Sequence, residues 1–422
     1  MIETSEKKLN KEQLEAVRFG EGPLLIIAGA GTGKTTVVTE RIKYLVSSGK
    51  AKPAQILALT FTDKAAREME ERVDIAMPYG YTDMWISTFH SFCDRILRQE
   101  AIHIGLNPTY KLMTEAETIQ FLIKNLFKFD LHYFRPLGNP TKFINGMLQH
   151  FSRLKDEDID SETYLKYAQK IKIDKKLNIE EKEKILELAE AYQVYEKLKT
   201  KEGLMDFGDL ITNTLKLFRT RKNILSQYQQ QFKYLLVDEF QDTNYAQNQL
   251  AILLAGKTQN ITVCADDDQS IYRWRGAAIS NVIQFRKTFP KAKIIVLTQN
   301  YRSSQLILDH AYQLIQNNNP DRLEVKEKID KHLRAVRQTE QMSIELIHAD
   351  RVENEAEVVA NRIKDLKAKI KNLEYKDIAI LVRANNHAEP FIRALARLSI
   401  PYQFLGPGQL FRQAEVKDLI AY

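Results

Sequence analysis

Short, nearly unbroken apolar runs alternate with helically patterned stretches along the first hundred residues. Leu24-Leu25-Ile26-Ile27-Ala28, Ile56-Leu57-Ala58-Leu59 and Met84-Trp85-Ile86-Ser87 are the clearest of these runs. Their length and the lack of a polar alternate face predict parallel strands buried on both sides. Thr35 to Val46 predicts a helix between the first two. Ala65, Ala66, Met69 and Val73 recur at helical spacing after the second. From about 106 to 202 the strand signal vanishes. There Ile185, Leu188, Ala189, Tyr192 and Tyr195 line one face of a helix expected over Ile179 to Leu198. Strands return at Tyr234-Leu235-Leu236-Val237, Ile261-Thr262-Val263-Cys264 and Ile294-Ile295-Val296-Leu297. The α/β texture repeats around Ile344 to Ile347 and Ile378 to Val382, with a surface loop at Asn317 to Pro320. The pattern predicts an α/β fold built on a parallel sheet and interrupted by an all-helical insertion.

Composition narrows the class. The 422 residues are 44% apolar and 28% charged, with only 16 glycines and 11 prolines. That is about half the usual share of those two, which favours long helices and excludes collagen-like or low-complexity architecture. No run approaches the roughly 18 apolar residues a membrane span needs. The start, Met1-Ile2-Glu3-Thr4-Ser5-Glu6, is acidic where a secretory leader would be basic and then apolar. With only two cysteines, Cys93 and Cys264, neither a disulfide framework nor an obvious zinc site is expected, so a reducing, cytoplasmic setting is. The net charge of +7 is compatible with a polyanionic partner without identifying one.

Chemistry enters at Ala28-Gly29-Ala30-Gly31-Thr32-Gly33-Lys34-Thr35, between a strand and a helix. In that context glycines let backbone N–H groups curl around phosphate oxygens, and the helix amino terminus adds positive potential. Lys34 is expected to reach the β and γ phosphates of a nucleotide, and Thr35 to hold Mg²⁺. Asp238 and Glu239 end the strand Leu235-Leu236-Val237. The first is placed for the magnesium shell and the second for orienting and deprotonating a water.

These pieces, in this order, resemble the superfamily-one DNA helicases of the UvrD, Rep and PcrA type. Leu9-Asn10-x-x-Gln13 resembles the segment that reads adenine, with Gln13 as the reading amide. Ala28 stands where that family ordinarily begins Ala-Gly-Ala-Gly. Thr60-Phe61-Thr62-Asp63-Lys64-Ala65-Ala66 resembles motif Ia, with Asp63 where the family usually has Asn. Ser87-Thr88-Phe89-His90-Ser91 resembles motif Ib, and Asp206-Phe207-Gly208-Asp209-Leu210 the acidic segment that re-enters the first core. Motif II is Val237 to Asn244, motif III Asp266 to Ala277, and motif IV Gln299-Asn300-Tyr301-Arg302-Ser303.

The resemblance implies a RecA-like P-loop NTPase core (residues 1–105 and 203–301), a helical insertion (106–202) and a partial second RecA-like core (302–422) ending at the start of a further insertion. It implies ATP and Mg²⁺ as cofactors, with Lys34, Asp238, Glu239, Gln269 and Arg302 in catalysis. Gln269 would sense the γ-phosphate, and Arg302 would act as an arginine finger. Gln13, Ala28, Gly29, Ala30, Gly31, Thr32, Gly33, Lys34, Thr35, Thr36 and Tyr301 would bind nucleotide, Tyr301 by stacking on adenine. Many relatives have arginine where Thr36 stands, so weaker base selectivity is expected. Single-stranded DNA, or a junction with duplex, is the implied partner. It would be held by stacking on Phe61, His90 and Trp274, while Thr60, Thr88 and Arg275 bond phosphates or brace the rings. Repair or recombination accessory proteins are further implied partners, and 3′-to-5′ movement the implied polarity.

The family's later segments, Thr-x-His-x-x-Lys-Gly-Leu-Glu and Val-Ala-x-Thr-Arg-Ala, do not occur in the sequence, and Glu415 to Tyr422 reads as a helix without a stop signal. The sequence therefore leads to the expectation of an amino-terminal portion that binds nucleotide better than it hydrolyses it and does not unwind DNA alone. Two alternatives stay open. One is the motor portion of a RecB- or AddA-like helicase–nuclease, and the other a nucleotide-regulated DNA-binding fragment without motor activity.

Overall fold

The structure is a computed structural model that describes residues 9–76, 84–171, 178–272, 276–337, 343–405 and 414–422. Contacts divide the chain into two compact units, residues 1–340 and 341–422.

Among the described residues the first unit carries ten strands: β1 Leu24–Ala28, β2 Ile56–Thr60, β3 Trp85–Thr88, β4 Lys111–Leu112, β5 Leu204–Met205, β6 Tyr234–Val237, β7 Ile261–Ala265, β8 Lys293–Leu297, β9 Gln299–Asn300 and β10 Arg334–Ala335. Six of them form one sheet in the order β3-β2-β6-β7-β1-β8, every neighbouring pair parallel. This is the parallel sheet the apolar runs predict, consistent with the RecA-like fold that the resemblance implies. β1, β2, β6 and β7 are buried at every position. Side-chain alternation sends them into two separate cores. Leu25, Ile27, Leu57, Leu59, Leu235 and Val263 face one side; Leu24, Ile26, Ile56, Ala58, Leu236 and Cys264 face the other. The helix Lys34–Ser47 covers the second side with Val37, Val38, Ile42 and Leu45. Helices Phe89–Glu100, Phe207–Thr220 and Tyr245–Ala255 cover the first.

Between β4 and β5 lies the helical insertion, with main helices Glu115–Asn125, Ile144–Asp156, Ser161–Lys170 and Ile179–Glu202. Its own apolar core centres on Phe121, Phe151, Tyr192 and Tyr195. It is tied to the sheet domain by the parallel pair β4–β5 and by a buried ion cluster. Lys155 and Lys199 of the insertion each bond both Asp206 and Asp209, which cap the helix Phe207–Thr220.

Residues 302–337 pack with the first unit, so contacts divide the chain near 340 rather than at the expected boundary after 301. Arg322 and Lys331 ion-pair with the aspartates after β7, and β10 pairs with β9. In the second unit, the helices Val352–Lys369 and Glu389–Arg397 share a core of Ala356, Ala360, Ile363, Ala394, Leu395 and Ile400. The strands expected at 344–347 and 378–382 do not form. Neither segment has a ladder partner among the described residues, and Leu346 and Leu381 are each 93% exposed. Apolar runs report a tendency to be buried, but a strand also needs a neighbour to bond. Among the described residues no helix is long and apolar enough to cross a membrane.

Candidate nucleotide site and adjoining groove

In parallel sheets of this kind ligands sit at the carboxyl ends of the strands. The strand order places the ends of β6, β7, β1 and β8 side by side. The P-loop, the Asp238–Glu239 pair, Gln269 and the Tyr301–Arg302 segment follow these ends, while Gln13 comes from the helix Lys11–Arg18 that precedes β1.

The turn after β1 is shaped by what crowds it. A side chain at Gly31 (φ +83°) would come within 2.6 Å of the Arg302 Cβ, and one at Gly33 (φ +88°) within 2.9 Å of the Gln13 amide nitrogen. Both positions therefore require glycine, on backbone angle and on space. Gly33 is the N-cap of Lys34–Ser47, so the loop delivers Lys34 into the first turn of that helix. The Lys34 amine, 8% exposed, donates to Glu239 Oε2 at 2.6 Å. Burial pulls the ammonium pKa down, but Glu239, Asp238 and Asp266 outweigh that pull and hold it above its ordinary value.

Glu239 itself sits at φ 48°, ψ 45°, a left-handed conformation that costs a non-glycine residue on the order of 1 kcal/mol or more. That strain turns its carboxylate toward the P-loop. Gln241 donates to the same Oε2 at 2.6 Å and accepts from the Asp266 N–H at 3.1 Å, tying the ends of β6 and β7 together. Asp238, 4% exposed, lies behind Glu239 and accepts its N–H at 3.0 Å. Burial, and then the charge of Glu239, push the Asp238 carboxyl up to about 6.

A cavity of about 540 Å³ gathers most of the expected nucleotide residues: Gln13, Gly29, Ala30, Gly31, Gly33, Lys34, Thr35, Thr36, Glu239, Gln269, Tyr301 and Arg302. Ala28, Thr32 and Asp238 do not line it. Ala28 is fully buried at the end of β1, its methyl group in the apolar core, and the Thr32 hydroxyl closes the loop on the Gly29 carbonyl at 2.8 Å. Both ends of the Gln13 amide are already satisfied, by the Thr32 carbonyl (2.9 Å) and the Asn10 N–H (3.0 Å). Reading a base with that amide would require it to exchange a partner. Tyr301 is anchored by its hydroxyl, which accepts from Asn10 at 3.0 Å and donates to Gln299 at 3.1 Å. Arg302 projects from the cavity rim without an ion pair among the described residues.

Besides Gln241, three residues shape the site that sequence reading did not assign. Asn300 is fully buried. It donates to the Ala30 carbonyl at 2.6 Å and accepts from the N–H groups of Arg302 and Ser303, which clamps the segment after β9 to the P-loop. Its place in the quoted motif was the only available signal. Arg41 is also buried and donates to the carbonyls of Ala16, Val17 and Phe19, fixing the helix that carries Gln13. Arg72 lines the cavity from the helix Asp63–Ala76 while paired with Glu68.

Beside this site lies a second cavity of about 410 Å³ lined by Phe61, His90, Gln149, Ser152, Arg153, Asp156, Asp242 and Asn244, among others. Phe61 stacks on Tyr272 with ring centroids 5.8 Å apart, and Phe207 meets His90 edge-on at 6.0 Å, extending the aromatic series. Burial lowers the His90 pKa, while Asp63 in the first turn of its helix pulls the other way. Thr60 and Thr88 are both buried. The Thr60 hydroxyl is sealed from solvent, and that of Thr88 caps the helix Phe89–Glu100 through the Ser91 N–H, so neither is presented to a phosphate. Enclosure at strand ends, which the motif pattern does not register, is the reason. Trp274 and Arg275 lie outside the described residues.

Comparisons with known proteins agree in one direction. The family model for the UvrD/REP helicase N-terminal domain matches residues 9–290, and that for the UvrD-like helicase C-terminal domain matches 295–422. The chain is 39% identical over 419 residues to the ATP-dependent DNA helicase PcrA of Bacillus subtilis (strain 168), covering 98% of this chain and 52% of that protein. It is 37% identical over 424 residues to the PcrA of Leuconostoc citreum, and 37% over 418 residues to that of Staphylococcus aureus (strain Mu50), each covered to 53%. The chain thus spans about half the length of the curated relatives it matches. With the model for the N-terminal domain matching residues 9–290, more than half of the chain, the chain belongs to the UvrD/REP helicase family.

Proposed function

We propose that this chain provides the nucleotide-driven core of an ATP-dependent DNA helicase, in which ATP hydrolysis is coupled to movement on single-stranded DNA. The observation that carries the reading is the Lys34–Glu239 pair at 2.6 Å, set in a cavity that also holds Gln269, Tyr301 and Arg302. In this state the two groups neutralise each other. Phosphate oxygens of ATP would compete for the Lys34 amine and release Glu239, which Gln241 keeps oriented. A freed carboxylate at that place can accept a proton from a water attacking the γ-phosphate. Gln269 and Arg302 are placed to face the charge that grows on the transferred group, a role worth about 10³–10⁵ in rate for an arginine finger.

The Thr35 hydroxyl and Asp238 carboxylate are hard oxygen donors of the kind Mg²⁺ takes. A bound cation would offset the burial that raises the Asp238 pKa to about 6, which supports the fit. Magnesium supplies charge neutralisation on the phosphate oxygens. Tyr301 is held by its hydroxyl at the rim of the cavity, which suits stacking on a base. We assign residues 1–105 and 203–301 to the first core, 106–202 to the insertion, and 302–422 to the second-core region. Movement in the 3′-to-5′ direction, a cytoplasmic setting, a role in repair or recombination, and action at single-strand–duplex junctions with accessory proteins belong to the same proposal.

The test is reciprocal binding. A labelled single-stranded oligonucleotide is titrated with the chain, with and without a magnesium complex of a non-hydrolysable ATP analogue. Nucleotide should change the DNA affinity by about 5–150-fold, the range of a typical coupling between sites. Lys34→Ala should abolish the change while leaving DNA binding in place. DNA affinity indifferent to nucleotide, or a shift that survives Lys34→Ala, overturns the reading.

A further inference from the structure

Three consecutive aspartates, Asp266, Asp267 and Asp268, follow β7, their carboxylate oxygens within 4.8 Å of one another. Such a cluster has the spacing of a cation site, but the cation is supplied by the chain. The Lys331 amine donates to Asp266 at 2.8 Å, Asp267 at 2.5 Å and Asp268 at 2.6 Å. Arg322 makes a two-pronged pair with Asp268 and a further ion pair with Glu324. Asp266 spends its other oxygen on Gln269, accepting from the side-chain amide at 2.6 Å. A chain of direct contacts therefore runs from Lys331 through Asp266 to Gln269, which lines the nucleotide cavity.

We propose that Lys331 is a positioning residue for Gln269, holding the expected γ-phosphate sensor in register with the P-loop. The proposal rests on the nucleotide reading above. Asp266 and Asp267 are 5% and 4% exposed, so removing the amine takes away the one donor that holds all three carboxylates together. Asp266 then loses the contact that fixes its orientation and no longer presents the same acceptor to Gln269. The amine is itself held in place from the nucleotide side. Leu333, two residues on, packs against Gly29 of the P-loop, where a Cβ would lie 2.8 Å from its Cδ1. β10 then pairs with Gln299 and Asn300, next to Tyr301 and Arg302. Lys331 thus begins a strap that touches the P-loop and the arginine-bearing segment, and its amine reports their position to the tip of β7. Burial pulls the Lys331 pKa down, and the three carboxylates more than restore it, so the amine stays charged through the neutral range.

The test separates positioning from general damage by comparing two ligands. Affinities of the full chain for the magnesium complexes of a β,γ-imido ATP analogue and of ADP are measured for the unsubstituted protein, Lys331→Met, Gln269→Ala and the double variant. Lys331→Met should weaken the triphosphate by about tenfold or more, the scale of losing one hydrogen bond to a charged group. ADP affinity should stay within about twofold. The double variant should be no worse than Gln269→Ala alone, because both changes remove one interaction. Lys331→Met/Asp267→Asn, which rebalances the charge, guards against a folding failure and should recover part of the triphosphate preference. Equal losses for both nucleotides, or additive losses in the double variant, overturn the proposal. An unsubstituted chain that binds neither nucleotide overturns the nucleotide reading and this inference with it. Triphosphate preference lost in Lys34→Ala but unchanged in Lys331→Met and Gln269→Ala overturns this inference alone.

Discussion

Asn300 shows how much of the site depends on single buried polar side chains. Its amide satisfies one carbonyl of the P-loop and two N–H groups of the segment that carries Arg302. Asn300→Ala strands these three groups in a position sealed from solvent, where each unpaired group costs about 1–3 kcal/mol before relaxation. We expect a loss of about 2–4 kcal/mol in denaturant unfolding, together with at least about tenfold weaker nucleotide binding. Unchanged stability would show that water or a neighbour replaces the amide. None of this was legible beforehand. The P-loop glycines and the acidic pair after β6 are local patterns, readable from spacing, whereas the Ala30 partner of Asn300 and the aspartate partners of Lys331 lie far away in sequence and are fixed only once β1, β7 and β8 are neighbours. Thr60 and Thr88 show the converse, since a motif can name a residue without saying that its hydroxyl is enclosed.

Among the elements, the insertion and the sheet domain meet at the Lys155–Lys199–Asp206–Asp209 cluster. Lys155 is 3% exposed and Asp209 is equally buried, so removing one amine leaves Asp206 and Asp209 sharing the single charge of Lys199. Lys155→Met should cost about 3–5 kcal/mol, measured by chemical denaturation; a loss under about 1 kcal/mol would mean the cluster relaxes toward water.

The cavity beside Phe61 yields a pH effect. Burial pushes Asp156 up to about 6, with Arg153 and Asn244 only partly offsetting it, and burial and Glu239 do the same to Asp242. Both carboxyls titrate above the ordinary 3.8, and a phosphate alongside would favour their neutral forms further. If single-stranded DNA lies in this groove, its binding takes up protons, and affinity should rise as the pH falls through about 6. Asp156→Asn should raise affinity at pH 7.5 by about 3–10-fold and flatten the profile. An unaltered profile in that variant would place the DNA elsewhere.

At this scale the strands buried on both faces were legible because an unbroken apolar run has few other homes. The runs at 344–347 and 378–382 carry the same signal yet form no strand. Pairing is a relation between segments, and no single window of sequence records it.

For the molecule as a whole, the +7 charge is spread over 422 residues, and its meaning depends on where cations face a polyanion. If single-stranded DNA lies along the aromatic groove, log affinity should fall with log salt by about 0.7 for each phosphate contacted. A flat dependence would remove nucleic acid as the partner. The division of contacts near residue 340 also bears on coupling. The segment holding Tyr301, Arg302, Arg322 and Lys331 is fastened to the first sheet by the Asn300 bond to Ala30 of the nucleotide cavity and by ion pairs to Asp266 and Asp268, of which Asp266 bonds the cavity residue Gln269. Order in that segment should therefore depend on what the cavity contains.

That dependence rests on Lys34 and Glu239 serving a single ligand, and calorimetric titration of the chain with a non-hydrolysable ATP analogue tests it most directly. Saturable one-to-one binding that requires Mg²⁺ and weakens at least about tenfold in Lys34→Ala is the expected result. Equal affinity in both proteins, or binding indifferent to the metal, would mean that the pair at 2.6 Å is an ordinary buried ion pair and not one half of a nucleotide site.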